Sequence, residues 1–556
     1  MCVRVVAPRR CGQLATWALA AAVCVVVAAG LAAAEDDGRL PESVVDAARF
    51  DRLAFQVNAA TGGELPPPAA QAGAEPEEVP ILAPDQPGNI RAGSGETFEA
   101  GPGANQGPVL DPNQVGNIRQ RLSELEGRMG EYPLIRLSGF FQLDDGLYSQ
   151  SAASIGRYGD MQNGVSFRRA RLQAIGELTE FMAYTIELDF AQGGRPSLLD
   201  VWGEIDEIPW LGTIRIGQFR QPGLMDSWTS VRHLDFMERS AAFQAVDPFR
   251  RVGIMAYAMS DSERTQWAAS VYATGFTFWD GQQIYRTFGD NRFGAQLSDN
   301  GGVSFGSRIS HLLYYDEPTE GRYLLHVGTG FVFSQLGGEG DSLSTGKAYN
   351  SSAFPEFFVG DPNGGGLTAA GTPFVLDAGR ILANNFCLYH LELAGNYGPV
   401  HFQSEAMLET INQQGGPTML LPTAYMQGGV FLTGEKPGYL KQAGVFDYNV
   451  VPHTPFFGTG RHGHVRGWGA WELACRWTYV DMSLVNVNPD NQLQKNVLGP
   501  PPFPNYGVLN ESTVGINWWW NRYTRLQFNW IHSMPNLLGY GLAPFDIFGT
   551  RFQVEF

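Results

Sequence analysis

Hydrophobic and polar residues alternate along most of this chain. In the last stretch, residues 546–556, Phe548, Phe552, Val554 and Phe556 share one parity, while Arg551, Gln553 and Glu555 take the other. Successive side chains of a β-strand point to opposite faces, so this stretch has one apolar face and one wet face. Residues 181–191 repeat the pattern: Met182, Tyr184, Ile186, Leu188 and Phe190 oppose Thr185, Glu187 and Asp189. Near the start of the patterned region, Ile135, Leu137, Phe141 and Leu143 oppose Arg136, Ser138, Gln142 and Asp144. Carboxylates inside such segments exclude a dry, two-sided core, because an unpaired charge needs water on its face.

Sixteen segments follow this rule: 134–148, 165–178, 181–191, 198–207, 211–219, 250–260, 265–275, 302–315, 321–335, 385–397, 400–411, 424–434, 467–483, 511–521, 523–533 and 546–556. Tight connections such as Tyr397-Gly398-Pro399 and Asn521-Arg522 alternate with long ones at 221–249, 336–384 and 484–510. An even number of alternating strands with short turns on one side and long loops on the other predicts an all-β fold, a sixteen-stranded antiparallel transmembrane β-barrel. Its apolar face would meet lipid and its wet face a lumen. Trp518-Trp519-Trp520, Trp477, Trp530, Tyr314 and Tyr315, near strand ends, suit interfacial aromatic girdles.

The N-terminal quarter has a different texture. Arg4, Arg9 and Arg10 precede an apolar run at 14–31, and Ala32-Ala33-Ala34 offers a small-residue cleavage site before Glu35. Residues 1–34 therefore read as a secretory signal peptide, with an uncleaved anchor as the rival reading. Residues 35–114 are rich in Pro, Gly and Ala, cannot bury a core, and read as a disordered arm. Within 115–130, Val115, Ile118, Leu122, Leu125 and Met129 form a two-heptad a/d seam. It reads either as an amphipathic helix on the barrel or as a short coiled coil joining several chains. The barrel then occupies 133–556.

Composition narrows the function. The formal charge of −18 argues against a nucleic-acid partner. Lysine occurs only at Lys347, Lys436, Lys441 and Lys495, so arginine supplies nearly all positive charge. Beyond the signal only Cys387 and Cys475 remain, which is no disulfide framework. His453, His462 and His464 cluster in a loop without a carboxylate or thiol to complete a metal set. There is no H-E-x-x-H or phosphate-loop motif. The sequence therefore predicts no enzyme, no cofactor and no metal centre.

Six pieces in order carry a resemblance: Phe167-Arg168-Arg169-Ala170-Arg171-Leu172, Gly217-Gln218-Phe219-Arg220-Gln221-Pro222, Asp235-Phe236-Met237-Glu238-Arg239-Ser240, Leu324-Leu325-His326-Val327-Gly328, Phe431-Leu432-Thr433-Gly434-Glu435 and Gly469-Ala470-Trp471-Glu472-Leu473-Ala474. Together they resemble the phosphate-selective porin O and P family. The resemblance implies an outer-membrane porin, commonly a homotrimer, that passes small anions such as phosphate. It also implies a third long loop, about 222–249, folded into the lumen. The candidate anion path is Arg169, Arg171, Arg220, Arg232, Arg239, Arg250 and Arg251, and the candidate lumen acids are Glu177, Glu187, Asp189 and Glu204. Arg168 has lipid-side parity, which places it at an interface or a bulge. Where the family tends to have lysine after Gly-x-Phe, this chain has Arg220, so a general or cation-leaning porin is the alternative. A barrel that tethers the membrane, with its arm touching the cell wall, is the alternative from another class.

Overall fold

The computed structural model describes residues 133–191, 196–274, 278–279, 282–283, 302–336, 348–357, 359, 372–460, 463–485 and 506–556. The expected signal, arm and 115–130 seam lie outside these residues.

Sixteen strands build the wall. They are β1 Leu134–Gln150, β2 Gly164–Thr179, β3 Met182–Asp189, β4 Ser197–Ile208, β5 Gly212–Arg220, β6 Arg250–Met259, β7 Thr265–Ala273 and β8 Val303–Tyr315. The rest are β9 Tyr323–Gln335, β10 Leu376–Tyr397, β11 Val400–Gln413, β12 Thr418–Phe431, β13 Ala470–Asp481, β14 Gly507–Asn521, β15 Thr524–Leu537 and β16 Phe545–Glu555. Neighbours pair antiparallel, and β16 pairs with β1 from Phe140↔Glu555 to Gln150↔Phe545. That last ladder closes the sheet, so no wall strand presents unpaired backbone to lipid. Every segment marked by alternation is a strand. On β16 the parity is visible directly: Phe548 and Phe556 face outward, while Ile547 and Arg551 are fully buried. Cys387 and Cys475 are not in a disulfide. They sit on β10 and β13, with β11 and β12 between them.

Three segments fill the lumen. The first insert, residues 221–249 between β5 and β6, is buried along almost its whole length and holds short helices at Met225–Trp228 and Ala241–Val246. The second, residues 348–357, lies between β9 and β10; its strand Ala348–Ala353 pairs with the extended start of β10. The alternation of tight and long connections breaks at the third. The β11–β12 connection is tight on the long-loop side, and the β12–β13 connection, on the short-turn side, is the long segment 432–469. Its hairpin, Gly438–Leu440 with Val445–Tyr448, enters from the short-turn mouth, which is periplasmic in outer-membrane barrels. Arg308 on β8 donates to the carbonyls of Ala443 (2.6 Å) and Gly444 (2.8 Å), fixing the hairpin tip. The chain then returns over the outer wall, where Phe456 packs edge-on against Trp518.

The filled lumen has two zones. Toward the long loops, Ile411, Met419, Leu421, Val480, Leu509 and Ile531 pack with Phe243, Val246 and Phe249 of the first insert. Toward the short turns many inward positions are charged or amide-bearing, as with Gln142, Arg525, Gln527, Arg551 and Gln553, beside a second apolar cluster in which Leu312, Tyr315 and Leu324 pack with Tyr439, Leu440 and Phe446 of the hairpin.

Candidate functional site

The first insert is gripped from the wall by arginines. The β1–β2 register shifts between Gln142, which pairs with Arg169, and Leu143, which pairs with Phe167. Arg168 is the extra residue of this bulge, and the bulge turns a lipid-parity side chain inward. Arg168 Nε donates to Glu238 Oε1 at 2.9 Å, Arg169 Nη2 to Oε2 at 2.8 Å, and Arg551 Nη2 to Oε1 at 2.8 Å. Arg551 also makes a two-pronged contact with Asp144 (2.7 Å each). Burial pushes the Glu238 carboxyl up, but the guanidiniums of Arg168, Arg169 and Arg551 outweigh it and hold the group far below the usual carboxylate range.

The other candidate arginines sit beside this grip. Arg171 bonds Asp189 (2.8 Å) and approaches Glu187 (3.7 Å). Arg250 bonds Asp200 (2.9 Å) and reaches Glu187 (3.4 Å). Arg220 donates to the carbonyls of Ser227, Trp228 and Thr229. Arg239 donates to the carbonyls of Asp226 (2.8 Å) and Thr229 (2.7 Å). Arg251 donates to Thr274 O, and Arg232 reaches Gln173 and Ser138. The structure thus brings all seven candidate arginines to the wall–insert contact, each on an acceptor of the protein itself. Of the acids, Glu187 and Asp189 join this network. Glu204 pairs instead with Arg215, at 2.6 Å, whose guanidinium lies over the Trp202 ring. Glu177 is half-buried near the β2–β3 turn, away from the network.

A second grip lies near the periplasmic mouth. His401 Nε2 meets Glu472 Oε1 at 2.5 Å and its Nδ1 faces Asp235 Oδ2 at 3.8 Å. Gln427 donates to Asp235 (2.8 Å) and Asn517 to Glu472 (2.6 Å). Asp235, His401 and Glu472 are the group of metal-ligand type found among the described residues. Each nitrogen of the ring already faces a carboxylate, so the arrangement ties insert to wall as it stands. Alongside, His233 bonds Asp447 of the hairpin segment at 2.6 Å. A cavity of about 10 Å³, room for roughly one water, separates the insert from the hairpin.

Reading the sequence missed Glu238, Arg551 and Asp235 as members of the site. Arg551 had lumen parity, and Glu238 stood in a quoted motif, so the signals were parity and motif membership.

The sequence model of the family described as phosphate-selective porin O and P matches residues 135–351 and 372–556. The chain belongs to this family. As a porin of this family it is a β-barrel protein of the outer membrane. Among solved structures it is similar to an anion-selective porin from Comamonas acidovorans, at 9% identity and TM-score 0.42, over 76% of this chain and 100% of that one. It is also similar to OmpT of Vibrio cholerae in its trimer form, at 7% identity and TM-score 0.41, over 77% and 100%. OprB of Pseudomonas putida matches at 8% identity and TM-score 0.42, over 80% and 97%. No match is found among curated proteins.

Proposed function

We propose that this porin carries small hydrophilic solutes by passive diffusion, prefers small anions including phosphate, and works as a homotrimer. The observation that carries the reading is the convergence of arginines on the first insert. Arg168, Arg169, Arg220, Arg239, Arg250 and Arg251 lie in the first insert or on the wall beside it, where the insert narrows the lumen by filling it. A narrow, low-dielectric zone rimmed by guanidiniums lowers the energy of an oxyanion there relative to a cation. Family membership supports the same solutes. A cation-leaning pore is the second reading, favoured by Asp235, Glu472 and Glu555 at the inner mouth. The test is the reversal potential of the purified chain in a planar bilayer under a salt gradient, followed by phosphate. An anion-sided potential reduced in current by phosphate supports the first reading, and a cation-sided potential without a phosphate effect replaces it by the second. Conductance in steps of three supports the trimer. The residues 35–114 would reach the cell wall from the periplasmic side, where β1 begins.

A further inference from the structure

The second insert places one carboxylate into a pocket made almost wholly of donors. Glu356 is fully buried. Its Oε2 accepts from Arg476 Nε (2.7 Å) and Thr513 Oγ1 (2.8 Å), with Arg476 Nη2 against the same oxygen. Its Oε1 accepts from Thr478 Oγ1 (2.5 Å) and the Ala241 backbone N–H (3.2 Å). These contacts fill the acceptor capacity of a carboxylate, which is roughly four lone-pair sites. The donors come from β13, β14 and the first insert; the single acceptor comes from the second insert.

The pocket does not need Glu356 to hold its shape. Arg476 lies over the Phe236 ring, 4.4 Å from its centre, and donates to the Glu238 carbonyl at 3.0 Å. Thr478 and Thr513 are fixed on paired strands at Thr478↔Glu511 and Arg476↔Thr513. Three other acids lie within electrostatic reach of Arg476, namely Glu511, Asp226 and Asp235; Glu511 accepts from the backbone N–H of Glu356 (2.8 Å), so it grips the insert's main chain while the wall grips its side chain.

We propose that Arg476, Thr478 and Thr513, with the Ala241 N–H, form an oxyanion-binding station in the lumen that Glu356 occupies from within the same chain. A guanidinium, two hydroxyls and an amide on a buried wall have the donor pattern of a site for a small carboxylate or a phosphate. A solute oxyanion and Glu356 compete for the station, and the second insert leaves the wall when the solute wins. The station rests on the anion-passing reading only for the route by which a solute arrives.

The experiment is chemical rescue of Glu356→Ala in the full chain, folded in detergent. Melting is followed as acetate or phosphate replaces chloride at constant ionic strength. The expected result is a melting temperature below that of the native chain that climbs saturably with acetate or phosphate, with the native chain responding only at higher anion concentration, where the anion must displace Glu356. Glu356→Ala combined with Arg476→Gln is expected to show no climb. Rescue by acetate alone identifies a carboxylate station, and rescue by phosphate a phosphate station. No rescue, or equal rescue in the double variant, overturns the proposal. Where the alanine chain does not fold, Glu356→Gln keeps the side-chain shape and drops the charge. Its melting temperature must then rise with either anion, and a flat response overturns the proposal as well. The readout is independent of conductance, so a cation-sided reversal potential would remove the selectivity reading and leave this result standing.

Discussion

In the long-loop half of the lumen, Ile411, Val480, Leu509 and Ile531 pack on Phe243, Val246 and Phe249. In the other half, Arg168, Arg169 and Arg551 converge on Glu238, Arg308 meets Glu392 at 2.8 Å, and His401 meets Glu472. Both halves hold the same inserts, by different physics. The apolar contacts gain from removing surface from water, at about 25 cal/mol per Å², and do not themselves respond to salt or proton concentration. The ionic half gains little net stability from each pair, because desolvation offsets the attraction. What it supplies is direction: a guanidinium fork accepts a carboxylate in one geometry, so it fixes where the insert sits. The lumen therefore uses grease for adhesion and charge for placement.

Four substitutions separate these roles. Glu238→Ala is expected to have the largest effect, about 3–5 kcal/mol of lost stability, because it strands buried guanidiniums without their acceptor. Thermal melting measures this, and current noise in single channels reports the loosened insert. Ile531→Ala in the apolar half should cost about 2–5 kcal/mol through lost burial and a residual cavity, with no change in the salt or pH dependence of melting. A salt-dependent loss there would break the comparison.

The third expectation concerns pH. Burial pushes the Asp247 carboxyl up to about 7, against hydrogen bonds from Ser227 (2.9 Å) and the Phe249 N–H (3.0 Å) that pull it down. Between its unfolded value of about 3.9 and that folded value, the native chain binds more protons than the unfolded chain. Stability must then fall as pH rises through this window. Asp247→Asn should flatten that slope, as read by melting at pH 5 to 8. Glu238 behaves oppositely: its contribution is complete above about 4.3 and is lost only as pH falls toward its depressed folded value. The smallest effect belongs to His532→Ala. His532 is part-exposed and bonds Asp546 at 2.8 Å on the outward face, where such pairs are worth about 0–1 kcal/mol.

The wall was legible because its rule is local. Each strand declares its two faces within a few residues, and lipid outside makes the apolar parity obligatory. Even the Arg168 bulge showed as a charge on the wrong parity. Of the lumen filling, only the loop at about 222–249 was expected, through the family resemblance; the contacts that hold the filling were not legible, because the partners are remote in sequence: Glu238 with Arg551, Glu356 with Arg476, and Arg308 with Ala443. Alternation says that a side chain points inward; it does not say what it meets there. A trace existed in the outer ends of some strands. Met419-Leu420-Leu421 and Ile547-Phe548 are apolar on both parities, which a water-filled lumen would not ask for. The hairpin 438–448 was hidden because residues 435–466 carry no alternating segment and read as a loop.

That hairpin and the first insert come in through opposite mouths and meet inside, where Met225 and Trp228 cluster with Tyr439, Leu440 and Phe446 and His233 bonds Asp447. Together they form one plug built from both ends of the barrel. Trimming the hairpin alone leaves the arginine-held insert in the lumen; trimming that insert alone leaves the hairpin there. Only a chain shortened at both ends of the pore would conduct like an empty sixteen-stranded tube. Each half of the plug is braced by the other, so a change at one mouth is passed to the segment that entered by the other.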